Sequence, residues 1–140
     1  MCTSTKTFAP SVLKMSLDSL KMKGIITAKS LKSGKDFTYR IKQKEFNGKV
    51  YTHVSVETEY LNFKYLGSYF NGKLYHKKQV VSTPSALGIA WILDKVTHNQ
   101  FEVVENQVTL MHTGNCVRCG RTLTDATSIE LGIGPTCRGE

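Results

Sequence analysis

The spacing of apolar residues changes period twice along this chain. From Ser11 to Lys23, Leu13, Leu17 and Leu20 recur at helical intervals. Pro10 can open the first turn, Ser11 can cap it and Gly24 can end it, so a helix is predicted here. From Ile25 the period drops toward two. Phe37, Tyr39 and Ile41 alternate with Thr38, Arg40 and Lys42, and Val50, Thr52, Val54 and Val56 alternate with Tyr51, His53, Ser55 and Glu57. Asn47-Gly48 between the two runs signals a tight hairpin, because both residue types tolerate the left-handed backbone that such a turn requires. A third run holds Leu61, Phe63, Tyr65 and Tyr69. Asn71-Gly72 then predicts a second hairpin and a strand from Lys73 to Val81.

Helical spacing returns after Ser82-Thr83-Pro84, a hydroxyl cap followed by proline in the first turn. This helix is predicted to run to about Val96, with Leu87, Ala90, Trp91 and Leu93 covering one face of the sheet. Phe101 to Met111 reads as one or two short strands broken near Asn106. No internal repeat or low-complexity tract interrupts the chain. The expected fold is therefore α+β, an antiparallel β meander backed by helices over residues 1–108, with a small metal-binding module at 109–140.

The module rests on three cysteines. Cys116-Val117-Arg118-Cys119 is a Cys-x2-Cys knuckle that sets two thiolates at adjacent corners of a metal's coordination sphere. Gly120 just after it relieves crowding where backbone amides bend toward sulfur. Cys137 follows a Gly-x-Gly-Pro turn at Gly132 to Pro135, which can return a third thiolate to the pair. Structural zinc takes four ligands, and His112 completes a compact Cys3His set. Cys2 rivals it by chemistry from the N-terminus, and Asp125 or His98 could also serve. A catalytic zinc with an open position would need a general base. Glu130 and Asp125 are the acidic residues within the motif, and neither stands in a His-x-Glu or His-Glu-x-x-His setting.

Cys116, Cys119, Gly120, Arg121, Leu123, Thr124, Asp125, Ser128, Ile129, Gly132, Ile133, Gly134, Pro135 and Cys137 together form a longer pattern. It resembles a small family of uncharacterised phage and bacterial proteins that carry this module, often at the end of a longer chain. The family often has proline where this chain has Ala126. The resemblance implies a zinc-binding module and a phage origin, and it implies no activity.

Charge adds a candidate surface. The chain carries 19 Lys and Arg against 11 Asp and Glu, a net +8. Residues 1–80 hold fifteen cations against five anions (+10) and residues 81–140 four against six (−2), so the basic character belongs to the β meander. If Phe37, Tyr39, Val54 and Phe63 face the helices, the opposite face presents Arg40, Lys42, Tyr51, His53 and Lys64. Cations mixed with aromatic rings on a sheet suit single-stranded nucleic acid, although an uncovered sheet face is commonly polar and Lys-rich in any case. Arg118 and Arg121 flank the knuckle and could add to such a surface.

There is no nucleophile elbow, no phosphate loop followed by Lys-Ser or Lys-Thr, and no Asp-rich metal cluster, which points away from an enzyme. No apolar run is long enough to span a membrane, and metal-spaced thiols without a secretory signal suit a reducing cytoplasm, that of an infected bacterium if the phage resemblance holds. The expectation is a small zinc-containing accessory protein that binds nucleic acid through its basic sheet face. The alternative is an inhibitor or adaptor that grips an acidic host protein.

Overall fold

In the computed structural model, which describes residues 6–19, 22–59 and 62–137, the elements follow in order. They are β1 (Lys6–Thr7), α1 (Pro10–Asp18), β2 (Lys23–Ser30), β3 (Asp36–Phe46), β4 (Lys49–Glu59), β5 (Asn62–Phe70), β6 (Lys73–His76), β7 (Gln79–Val80), α2 (Pro84–Thr97), α3 (Phe101–Gln107), β8 (Val108–His112) and α4 (Ala126–Leu131). All eight strands join one antiparallel sheet in the order β1-β8-β2-β3-β4-β5-β6-β7. Strands β2 to β7 form the expected meander. The chain then crosses back through α2 and α3, and β8 pairs with β2 on one side and β1 on the other.

One face of the sheet is covered. Ile26, Ala28, Tyr39, Ile41, Val54, Val56, Leu66, Leu74 and Leu110 pack against Leu13 and Leu17 of α1, Ala86, Ile89, Leu93 and Val96 of α2, and Val104 of α3. At about 25 cal/mol per Å² of apolar area removed from water, burying these side chains is the dominant favourable term. The polar groups in this layer are satisfied. The Tyr39 hydroxyl donates to the Ser85 carbonyl at 2.7 Å, and burial pushes its pKa up beyond the usual tyrosine range. Gln43 accepts from the Met22 N–H and donates to the Leu17 carbonyl, tying the end of α1 to β3.

Both Asn-Gly turns form as expected, with Asn47 and Gly48 at φ 52° and 76° and Asn71 and Gly72 at 51° and 88°. Thr83 caps α2 through its hydroxyl. Other boundaries differ. The first helix starts at Pro10 and ends at Asp18, and Gly24 lies inside β2 rather than ending the helix. The expected strand from Lys73 to Val81 is divided into β6 and β7 by a third left-handed turn at Lys77 and Lys78. Residues 101–107 are helical where a strand was expected: Phe101 and Val104, three apart, pack on the core. Leu87 is 54% exposed, whereas Ala90 and Leu93 are buried and Trp91 is half-buried. Strand β1 and helix α4 were not among the expected elements. Leu20 and Leu61 lie outside the described residues, and no helix among the described residues is long and apolar enough to cross a membrane.

Candidate functional site

The chain leaves β8 at His112 and turns into the knuckle. The Gly120 N–H donates to the Cys116 carbonyl at 2.9 Å, closing the Cys-x2-Cys turn. An isolated bridge between Asn115 and Thr122 then folds the two arms of the knuckle together. Helix α4 follows, with Asp125 as its cap accepting from the Ser128 N–H at 3.0 Å. Gly132 ends it in the left-handed region at φ 79°. The Gly132 to Pro135 turn brings Cys137 back, and Arg118 fixes that return by donating to the Cys137 carbonyl at 2.8 Å.

As a result the sulfurs of Cys116, Cys119 and Cys137 all lie within 4.8 Å of one another, and the three could coordinate a metal ion. Cys116 is fully buried, Cys137 half-buried and Cys119 exposed. Burial pushes the Cys116 thiol up, but N–H groups of Gly134, Cys119 and Arg118 aimed at its sulfur outweigh this and bring it below the ordinary thiol value. The Gly134 N–H lies 3.5 Å from that sulfur. Burial and the two neighbouring sulfurs push Cys137 up to about 12. Three thiols this close cannot all ionise without a cation among them. Metal binding supplies that cation and releases the protons.

Residues 110–140 match a family of unknown function, DUF6011. No curated protein and no solved structure matches the chain. The match begins within β8 and takes in the knuckle, α4 and the returning turn.

His112 does not join the three sulfurs. Its Nε2 lies 2.6 Å from the Ile129 carbonyl, and its Nδ1 accepts from the Gly114 N–H at 3.1 Å. Both ring nitrogens are thus taken by backbone, in a side chain with no exposed surface. Burial lowers its pKa, more than the Ile129 carbonyl raises it, so the ring is neutral. The histidine pins α4 and the post-β8 turn to the sheet. The expected Cys3His set is therefore corrected to three cysteines. Among the other candidates, Asp125 caps α4 but lines the cavity of about 450 Å³ beside the sulfurs, together with Arg121 and Thr124. His98 lies at the end of α2 against Asp94. Cys2 lies outside the described residues.

The knuckle sits on the helix side of the sheet. Val117 belongs to the main core, and its carbonyl lies against Gly24, where an added Cβ would fall 1.5 Å from the oxygen. The Lys23 N–H also donates to the Arg118 carbonyl. Arg118 and Arg121 therefore do not extend the opposite, uncovered face.

That uncovered face gathers Arg40, Lys42, Lys44, His53, Ser55 and Tyr65 around a shallow depression of about 310 Å³. The strand register explains the grouping: Arg40 pairs with Ser55 and Ser55 with Tyr65, while Lys42 pairs with His53 and His53 with Ser68. Tyr51 stacks beside His53, with ring centroids 6.4 Å apart and planes 13° from parallel. Tyr65 lies 5.9 Å from His53 and 5.3 Å from His76. The hydroxyls of Ser68 and Tyr65 reach His53 Nδ1 at 2.9 and 3.2 Å. Burial first, and then Lys44, lower the His53 pKa.

Phe63 and Lys64 occupy the faces opposite to those expected. The register shifts between Tyr65 and Gly67, leaving Leu66 as an extra residue, so one parity does not hold along β5. Phe63 lies on the uncovered face, its ring centroid 4.2 Å from the Arg40 guanidinium carbon. Lys64 pairs with Val56 on the helix side and is exposed beyond it. Lys44 was legible as the next alternate residue after Arg40 and Lys42. Tyr65 shares the spacing of the apolar residues of its strand, and the register shift after it is what turns it to the uncovered face.

Proposed function

We propose that this is a zinc-stapled accessory protein that binds single-stranded nucleic acid on its uncovered sheet face, and that it is phage-encoded. The observation that carries the reading is the convergence of Arg40, Lys42 and Lys44 on one strand with Tyr51, His53 and Tyr65 on the next two. Cations can track a phosphate backbone while neighbouring rings offer their faces to unstacked bases, a combination that binds single strands with little sequence preference. Arg40 lies over the Phe63 ring, a cation–π contact that still leaves guanidinium N–H groups to meet phosphate. The phage origin is supported by the C-terminal pattern alone.

Zinc is the metal best suited to three thiolates in a Cys-x2-Cys knuckle. When bound it would fix the knuckle by holding Cys116, Cys119 and Cys137 together. The N–H groups of Gly134, Cys119 and Arg118 would support the Cys116 thiolate, and Arg118 would hold the returning turn in place.

Binding of a labelled single-stranded oligonucleotide across a salt series tests the nucleic-acid reading. The logarithm of affinity should fall linearly with that of salt concentration, with a slope of about −0.7 per phosphate contact, so about −2 for three cations. The triple variant Arg40→Glu, Lys42→Glu, Lys44→Glu should abolish binding while keeping the fold, because all three side chains face away from the core. No binding at low salt, or a salt-insensitive complex, would sink this reading and favour a protein partner.

A further inference from the structure

The two hairpin turns of the meander carry the same residues. Phe46-Asn47-Gly48-Lys49-Val50-Tyr51 and Phe70-Asn71-Gly72-Lys73-Leu74-Tyr75 differ at one position, valine against leucine. The chain thus holds one short repetition, which corrects the expectation of no internal repeat. The turn itself accounts for Asn-Gly, since both pairs have positive φ. It does not account for the rest. Phe46 and Phe70 are 66% and 70% exposed, so the core needs neither ring.

Topology places both copies at the same end of the sheet, because β3 and β5 run in the same direction and each leads into its own turn. They also share a face. Phe46 pairs with Lys49 and lies two residues beyond Lys44. Phe70 pairs with Lys73 and lies two residues beyond Ser68, the partner of His53. Extending the Thr52–Tyr69 register by one residue sets Tyr51 opposite Phe70, which gives a row of Lys44, Tyr51, Phe70 and Lys73 across four strands. The next row holds Lys42, His53, Ser68 and Tyr75. Neither row contains a carboxylate. With strands about 4.8 Å apart and a two-residue offset, the Phe46 and Phe70 positions lie about 12 Å apart.

We propose that the two Phe-Asn-Gly-Lys-x-Tyr hairpins are a duplicated binding element for a single nucleic-acid strand, each presenting a phenylalanine face to a base and a lysine to the adjoining phosphate. This deepens the function proposed above and rests on it. The Arg40–Lys44 strand holds the middle of the ligand, and the hairpins extend the footprint to the end of the sheet. The copies differ in support: Gly72 lies 3.4 Å, measured from an added Cβ, from the Asp94 carboxylate of α2, whereas nothing lies near Gly48. The second hairpin is backed by the helix layer and the first stands free.

Oligothymidylates of increasing length, titrated into the intact protein and into Phe46→Ala, Phe70→Ala and the double variant, test this. Circular dichroism and metal content check that each variant is folded. Each single change should weaken binding of a long oligonucleotide by roughly ten-fold, the lower part of the range for one lost base stack. The double variant should lose more than either single one, and should no longer gain affinity beyond a shorter length than the wild type. Wild-type binding that the triple Arg40, Lys42 and Lys44 reversal abolishes, but that both phenylalanine variants retain in full, would overturn the hairpin role and leave the nucleic-acid reading standing. Absence of wild-type binding at low salt would overturn both.

Discussion

Gly24 shows how a single hydrogen in place of a methyl group joins two parts of the protein. Its backbone is ordinary strand, and its position at the start of β2 faces the core side, where the Val117 carbonyl occupies the space of a Cβ. Gly24→Ala should displace the knuckle, costing about 3 kcal/mol or more, the upper end for overpacked sites. A denaturant midpoint and the metal content of the purified variant check this together, and an unaltered midpoint would contradict the packing. Gly132 is constrained twice over, by its left-handed φ and by His112 Cδ2 lying 2.9 Å from an added Cβ. His112 itself should stay neutral below the ordinary histidine value of about 6.5. Its depressed pKa means that the unfolded chain binds the proton first, so its contribution to stability is full above that value and is lost as pH falls toward the folded pKa. Ring proton shifts across an acid titration would report it, and titration at the ordinary value would show that the ring is not buried as described. Spacing alone could bring His112 near the cysteines in sequence, but not reveal that two backbone groups would occupy its nitrogens.

Hairpins were the most legible elements, because Asn-Gly carries its turn geometry in two residues and the alternation on either side fixes the facing. The same logic failed where geometry was paid for by tertiary context. Lys77 and Lys78 adopt φ 52° and 66° without the residue types that favour it. Lys78→Gly should therefore stabilise the protein by up to about 1 kcal/mol, the relief of left-handed strain less the added freedom of glycine in the unfolded chain. A rise in melting temperature checks it, and a fall would indicate that the lysine side chain makes a contact worth more than the strain. The bulge at Leu66 is equally silent in sequence. It reversed the facing of Phe63 and Lys64 while leaving Phe70 on the uncovered face. Alternation predicts faces only as far as the register is unbroken.

At the scale of the molecule, the C-terminal quarter is tied into the sheet at three places: β8 between β1 and β2, Val117 in the main core, and Arg118 bonded to Lys23. Purified protein should contain one zinc per chain, and Cys119→Ser should lose it. Because of those ties, chelation or that substitution should lower the stability of the whole chain and not merely loosen its end. Structural zinc in small modules carries an apparent binding energy of roughly 10–16 kcal/mol, so the shift should be large. Hydrogen exchange with and without chelator separates the cases: faster exchange in β2 as well as in the knuckle is expected. The α+β class, the meander and the cysteine cluster were all readable from pattern and spacing. The return of β8 to pair with β2 was not, since nothing local in Val108–His112 names a partner some eighty residues earlier.

That return also governs when the protein can fold during its synthesis. Lys6 pairs with His112 and Thr27 with Met111, so β1 and β2 find this neighbour only after β8, which follows the whole meander and two helices, has been made. Until then β2 presents a bare backbone edge, which invites pairing with the wrong chain. Contacts this distant in sequence slow folding, because the entropy of closing the loop comes before any reward. A nascent chain halted before Val108 would therefore expose its meander as an open template. A fragment ending there should aggregate at concentrations where the full chain remains monodisperse in light scattering. The crossover that completes the sheet makes the synthesis of Val108–His112 a checkpoint for the meander translated before it.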